Sequence, residues 1–357
     1  MLVRSSALKA SIGALALLAG TAPVVNAATR PHSAPAAASC LRVSGHVPVP
    51  SSVETFPRAT AVNPITGTLY VADDTDAYQT SVIYVINAKT NTVTTTIPVS
   101  DDIFKMAVDT KTSTIYAVAS PSKLLVIDGQ TNTITATMDL GTWPSNIALD
   151  PVTHQMFVIN RLNNTHQTNL LILRSPSYSK VVKTIRVGLQ GYQLTVDTKT
   201  NRVYVPTSDG PNQAVVINGQ TKTVIATITG VVNGPIVADS ATNTIYAEGG
   251  GGGVVAIDGA TNAISSTIPV PGAFEVIDLA VNQADGHLYV GTDGSSDDIV
   301  GQLSVIDTQT GTVTASIRVG ENPTGLSVDP RTHEIYAIVG TNTVRASAVT
   351  SVHDSCN

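Results

Sequence analysis

The chain has 357 residues, of which 20 are Lys or Arg and 26 are Asp or Glu, for a net charge of −6. That acidic balance argues against a protein that grips nucleic acid or anionic lipid through bulk charge. Only 13% of residues are charged, about half the roughly 25% of an ordinary globular domain, so the surface must be built largely from Thr, Ser, Asn and Gln.

In chain order, Arg4 and Lys9 precede the apolar run Ala10–Ala22, which is too short to span a bilayer, and Val25-Asn26-Ala27 offers a small-residue cleavage site. Residues 1–27 read as a signal peptide, making the mature protein secreted or extracytoplasmic. Cleavage would leave 18 basic residues against 26 acidic, a net charge of −8. Further apolar runs fall short of membrane-helix length, so no membrane insertion is expected after cleavage. Residues 28–39 (ATRPHSAPAAAS) read as a flexible linker. Residues 40–357 are then the folded part, long for one domain unless they repeat.

They do repeat. An Asp or Asn followed seven residues later by an aromatic recurs as Asn63/Tyr70, Asp109/Tyr116, Asp150/Phe157, Asp197/Tyr204, Asp239/Tyr246, Asn282/Tyr289 and Asp329/Tyr336. The spacings are 46, 41, 47, 42, 43 and 47 residues. Asp278–Val319 shows the unit in full. Asp278–Asn282 is a short apolar strand, Gln283–Gly286 a turn, His287–Gly291 a second strand and Thr292–Gly301 a polar loop. Leu303–Asp307 and Thr312–Val319 follow with period-two alternation. A period in the forties with four strands predicts an all-β, seven-bladed β-propeller with four antiparallel strands per blade.

The innermost strand carries small or β-branched residues two positions before each Asp/Asn (Ala61, Ala107, Ala148, Thr195, Val237, Ala280, Ser327). Mostly large apolar residues stand three before it, as packing of one blade on the next requires. Third strands recur as Tyr84–Asn87, Leu125–Asp128, Val215–Asn218, Val255–Asp258 and Ser304–Asp307; blade three departs with Leu171–Arg174 and the turn Ser175–Lys180. Ala61-Val62-Asn63-Pro64 with Tyr70-Val71-Ala72-Asp73, and Ser327-Val328-Asp329-Pro330 with Tyr336, resemble the YVTN family of seven-bladed propellers. The resemblance spans the whole folded region and implies the fold, but no single activity; no blade has the full YVTN string.

Blade seven offers a third strand at Thr343–Val349 and no outer strand after it, whereas Leu41–Val49 looks like an outer strand. The N-terminal strand is therefore expected to complete the C-terminal blade. Cys40 and Cys356, the only cysteines, would form a disulfide in place of the missing hairpin turn. A rival reading makes Cys40 a lipid attachment site after Ala37-Ala38-Ser39.

Function is expected on the face where the blade-connecting and strand two-to-three loops emerge. Phe56, Phe104, Trp143, Tyr192 and Phe274 lie in these connections, with Arg58, Lys105, Glu275 and Asn322 beside them. Two readings of the aromatics stand: they line a ligand pocket over the axis, or they plug the seams between blades. Arg161 and His166 are the weak catalytic candidates, His166 as a general base. The repeated Asp/Asn residues, and His154, His287 and His333, read as turn residues. The acidic loops at Asp73–Asp76, Asp209, Glu248, Asp293 and Asp297-Asp298 resemble no EF-hand, and Gly249–Gly253 lacks the following helix that a phosphate site needs. No metal or cofactor is assigned.

The sequence thus points to an exported, monomeric, non-catalytic binding propeller for a small molecule, glycan or protein partner. The alternative is a lyase or hydrolase with an acid/base site on the same face.

Overall fold

Each repeat folds as a four-stranded antiparallel sheet, and seven such sheets stand in a ring. The computed structural model describes residues 40–47, 49, 56–74, 81–162, 165–174, 178–210, 212–293, 301–340 and 347–356. The proposed signal peptide and linker lie outside the described residues, and Ser39–Asn357 forms one compact unit. Blade six shows the plan, with strands Glu275–Asn282, His287–Asp293, Gln302–Asp307 and Thr312–Arg318 in sequential order from the axis outward. Consecutive innermost strands touch all the way round, from blade one to blade seven and back.

The repeated residues explain the scaffold. In all seven first turns the Asp/Asn Oδ1 accepts the backbone N–H two residues on, at 2.8–3.1 Å. These are Asx turns, fixed locally by side-chain chemistry. The repeated aromatics are buried; Tyr70, Phe157, Tyr204, Tyr289 and Tyr336 expose nothing. Tyr204 and Tyr336 donate to Asn262 Oδ1 (3.2 Å) and the Ala88 carbonyl (3.1 Å), each on the following blade. The apolar core is divided among seven clusters, each joining residues of two adjacent blades. Second strands are therefore buried on both faces, while outer strands such as Thr133–Asp139 are almost wholly exposed.

Blade seven closes as expected. Leu41–Val47 pairs antiparallel with Ser347–Asp354, from Leu41 opposite Asp354 to Val47 opposite Val349, and supplies the outer strand. Cys40 and Cys356 are bonded, with Cα atoms 4.9 Å apart. The third strand lies further along than Thr343–Val349: it starts at Ser347, and residues 341–346 lie outside the described residues. Polar and apolar residues alternate through Arg345–Ala348 and lose the alternation at Ala348-Val349, so periodicity alone does not mark the bounds of the strand. Blade three uses its odd turn to bury Tyr178 edge-on against Tyr116 of blade two, with ring centroids 5.2 Å apart.

Candidate functional site: a cationic, aromatic cavity on the axis

The innermost strands are not regular. In blades one, two, three and six the pairing register slips once, leaving Arg58, Phe104, Ser145 and Ile277 unpaired between Pro57/Ala59, Ile103/Lys105, Pro144/Asn146 and Val276/Asp278. Each bulged residue stands five positions before the repeated Asp/Asn of its blade. A bulge bends the strand and re-aims a side chain, and here all four line one cavity of about 390 Å³. The same offset in blades four and seven gives Tyr192 and Thr324, which also line it; in blade five it gives Gly234, which does not. The next residue along adds Lys105, Asn146, Gln193, Asp278 and Gly325, and Trp143, Pro144 and Arg161 complete the wall. Six of seven blades contribute, so the cavity sits over the axis.

Its chemistry is cationic and aromatic. The Arg161 guanidinium lies 4.2 Å from the Tyr192 ring centroid, and Arg58 lies 6.0 Å from that of Phe104. Phe104 and Trp143 are tilted neighbours at 6.5 Å. Trp143 and Tyr192 remain 40% and 39% exposed, so they face the cavity rather than plug a seam. Trp143 is held in a left-handed conformation, φ 47°, its N–H on the Pro121 carbonyl (2.8 Å) and its carbonyl accepting from Arg161 N–H (3.1 Å).

The charges divide into used and unused. Arg58 forms a salt bridge with buried Asp74. Burial and the neighbouring Asp102 carboxyl nevertheless outweigh Arg58 and hold Asp74 up at about 7. Asp278, the one acid in the wall, accepts Leu279 N–H (2.8 Å) and Leu326 N–H (2.9 Å), tying blade six to blade seven. Asn146 does the same between blades three and four, donating to the Tyr192 carbonyl (3.2 Å) and Gln193 Oε1 (2.6 Å). Lys105 and Arg161 make no ion pair among the described residues, and Arg161 Nε is buried without a hydrogen-bond acceptor. The wall therefore presents two uncompensated cations.

Of the residues expected from sequence, Arg58, Phe104, Lys105, Trp143 and Tyr192 converge here with Arg161. Phe274 (67% exposed), Glu275 and Asn322 (φ 47°) are on the surface and do not line the cavity. His166, also exposed and at φ 53°, is likewise not part of the wall. The side chain of Phe56 lies outside the described residues. Ser145, Asn146, Gln193, Ile277, Asp278, Thr324 and Gly325 were not anticipated; the signal that finds them is the offset of four or five residues before each repeated Asp/Asn. A larger concavity of about 570 Å³ lies between blades one and two, but its Lys123 and Asp101 already pair with each other at 2.7 Å.

No protein-family profile matches the chain, and no curated protein sequence is similar to it.

Proposed function

We propose that this protein is an exported, monomeric, non-catalytic binding propeller of YVTN-type repeats whose axial cavity takes a small anionic ligand with a flat or ring face, such as a uronic-acid sugar or an aromatic carboxylate. The observation that carries the proposal is the pairing of unneutralised Lys105 and Arg161 with the exposed rings of Trp143 and Tyr192 in one cavity. Rings supply a stacking surface and the cations favour a carboxylate, with Arg161 able to engage it bidentately. A volume near 390 Å³ suits one or two sugar rings. The wall's one carboxylate, Asp278, is engaged by two backbone amides, which speaks for binding over acid–base catalysis.

Calorimetry with glucuronate, galacturonate and benzoate, against galactose and benzyl alcohol, tests this. Acidic ligands should bind and neutral ones should not, and Trp143→Ala and Arg161→Gln should each weaken binding at least tenfold. Equal binding of the neutral set, or no binding of the acidic set, would overturn it.

A further inference from the structure

On the opposite end of the ring, the seven first turns share a second rule. Three residues after the repeated Asp/Asn stand Thr66, Thr112, Thr153, Thr200, Thr242 and Thr332, and in blade six Asp285. The threonine is scaffold: Thr153 and Thr242 both return a hydrogen bond to their own Asp at 2.7 Å. Asp285 breaks a sixfold pattern, and what surrounds it explains the break.

His287 begins the second strand of blade six, one position beyond the left-handed turn site that His154 and His333 occupy. Its Nδ1 lies 2.6 Å from Asp354 Oδ2 and 3.9 Å from Asp285 Oδ2. His333, in the first turn of blade seven, places its Nδ1 2.9 Å from the same Asp285 oxygen. Asp354 ends the third strand of blade seven; its Oδ1 accepts Cys356 N–H at 2.7 Å, the turn-capping job its counterparts do elsewhere. That leaves Oδ2 aimed inward. Donor atoms of Asp285, His287 and Asp354 all lie within 4.8 Å of one another.

We infer that Asp285, His287, His333 and Asp354 form a divalent transition-metal site, of the zinc class, that clamps blade six to blade seven beside the Cys40–Cys356 closure. The donor set is two imidazoles and two carboxylates, which neutralises a dication and suits Zn²⁺ or Ni²⁺ over Mg²⁺ or Ca²⁺. Bonds of about 2.0–2.1 Å put tetrahedral donors roughly 3.3 Å apart. The donors of Asp285, His287 and Asp354, already within 4.8 Å of one another, need only a small inward shift, and His333, whose Nδ1 is 2.9 Å from Asp285 Oδ2, swings further from its half-exposed turn to complete the set. Binding through Nδ1 requires only that each neutral imidazole carry its proton on Nε2. The outer shell is in place: Tyr289 O–H donates to Asp354 Oδ2 (2.7 Å) and Asn282 Nδ2 to Asp285 Oδ2 (2.6 Å). No Lys or Arg neutralises either carboxylate among the described residues. His333, with 45% of its side chain exposed, leaves a route from solvent.

The test uses tag-free, chelator-stripped, disulfide-intact protein, titrated with Zn²⁺, Ni²⁺ and Mg²⁺ by calorimetry and thermal melting. Zn²⁺ and Ni²⁺ should bind one per chain and raise the melting temperature, and Mg²⁺ should do neither. Asp285→Thr restores the residue used by the other six blades, so it should fold and melt like metal-free parent while losing at least 100-fold in Zn²⁺ affinity. His154→Ala, at an equivalent turn whose carboxylate, Asp150, is already taken up by Val152 N–H and Thr153, should bind as the parent does. Absence of Zn²⁺ binding, equal binding of Mg²⁺, or unchanged affinity in Asp285→Thr would each overturn the site.

Discussion

Removing the Cys40–Cys356 bond, by reduction or as Cys40→Ser with Cys356→Ser, should destabilise the propeller by about 5–6 kcal/mol. The bond joins residues 316 apart, and in the chain-entropy account a loop of that length restricts the unfolded ensemble by about 19 cal/mol/K, near the top of the range for a single cross-link. Unfolding entropy of about 2.1 cal/mol/K per residue sums to roughly 0.7 kcal/mol/K for this domain, so the melting temperature should fall by about 8 °C. The native closure should survive, because Leu41 and Val47 are 2% and 3% exposed and the whole strand stays paired with Ser347–Asp354. Urea unfolding of both forms gives the free energy, and hydrogen exchange over residues 41–47 gives the state of the edge. Complete thiol release with a melting temperature unchanged within about 2 °C would refute the entropic reasoning. Lost protection over residues 41–47 would show instead that the bond holds the strand in place.

Two further outcomes follow from buried groups and tight backbone. Burial lifts the carboxyls of Asp73, Asp74 and Glu248 to about 7, above their unfolded values, so the folded state keeps protons that the unfolded chain releases between about pH 4 and pH 7. Their contribution to stability is therefore full below about pH 4, falls as pH rises to 7 and is flat above. Asp73, whose two carboxylate oxygens have no hydrogen-bond partner among the described residues, should give the clearest effect. Asp73→Asn should raise stability at pH 7.5 by roughly 2 kcal/mol, half of what three pH units would give in a fully dry site; urea midpoints at pH 4.5 and 7.5 measure it, and a midpoint that rises with pH in the parent would count against it. In the glycine run, Gly252 has φ 72° and a Cβ there would sit 2.4 Å from the Ala273 carbonyl oxygen, whereas Gly210, at φ 74°, has nothing within 4 Å. Gly252→Ala should cost at least about 2 kcal/mol and Gly210→Ala about 1 kcal/mol, an order that equal urea midpoints would contradict.

The blades were legible because each is specified by local chemistry repeated seven times: an Asx turn, a buried aromatic seven residues on, and alternating apolar strands. Closure was legible because Leu41–Val47 alternates like an outer strand and Cys40 adjoins it. The axial wall was half legible. Arg58, Phe104, Lys105, Trp143 and Tyr192 stood out by residue type, but Ser145, Ile277 and Thr324 have unremarkable side chains, and their position depends on bulges. A bulge changes strand parity, so counting by two from the repeated Asp/Asn assigns these residues to the wrong face. Phe274 and Glu275 resemble the wall residues in type but lie apart from the wall: they stand eight and seven positions before Asn282, and of the wall only Trp143 is drawn from so far up its connection.

A chain with seven copies of one unit carries its own baseline. Where all copies agree, as at the Asp/Asn and the buried aromatic, the residue serves the blade. Where six agree and one departs, as at Asp285 among six threonines, the exception answers to something its own blade does not need. Where no two agree, as in the series Arg58, Phe104, Ser145, Tyr192, Gly234, Ile277 and Thr324, the scaffold asks only for a bulge or turn and leaves the side chain free. All of those free positions but Gly234 line the axial cavity. They carry a cation and two aromatics, with Lys105 and Arg161 beside them, on a chain whose net charge is −6. Placing positive charge on the axis of an acidic protein focuses an attractive field there and repels anions elsewhere, which is the arrangement a specific anion site requires.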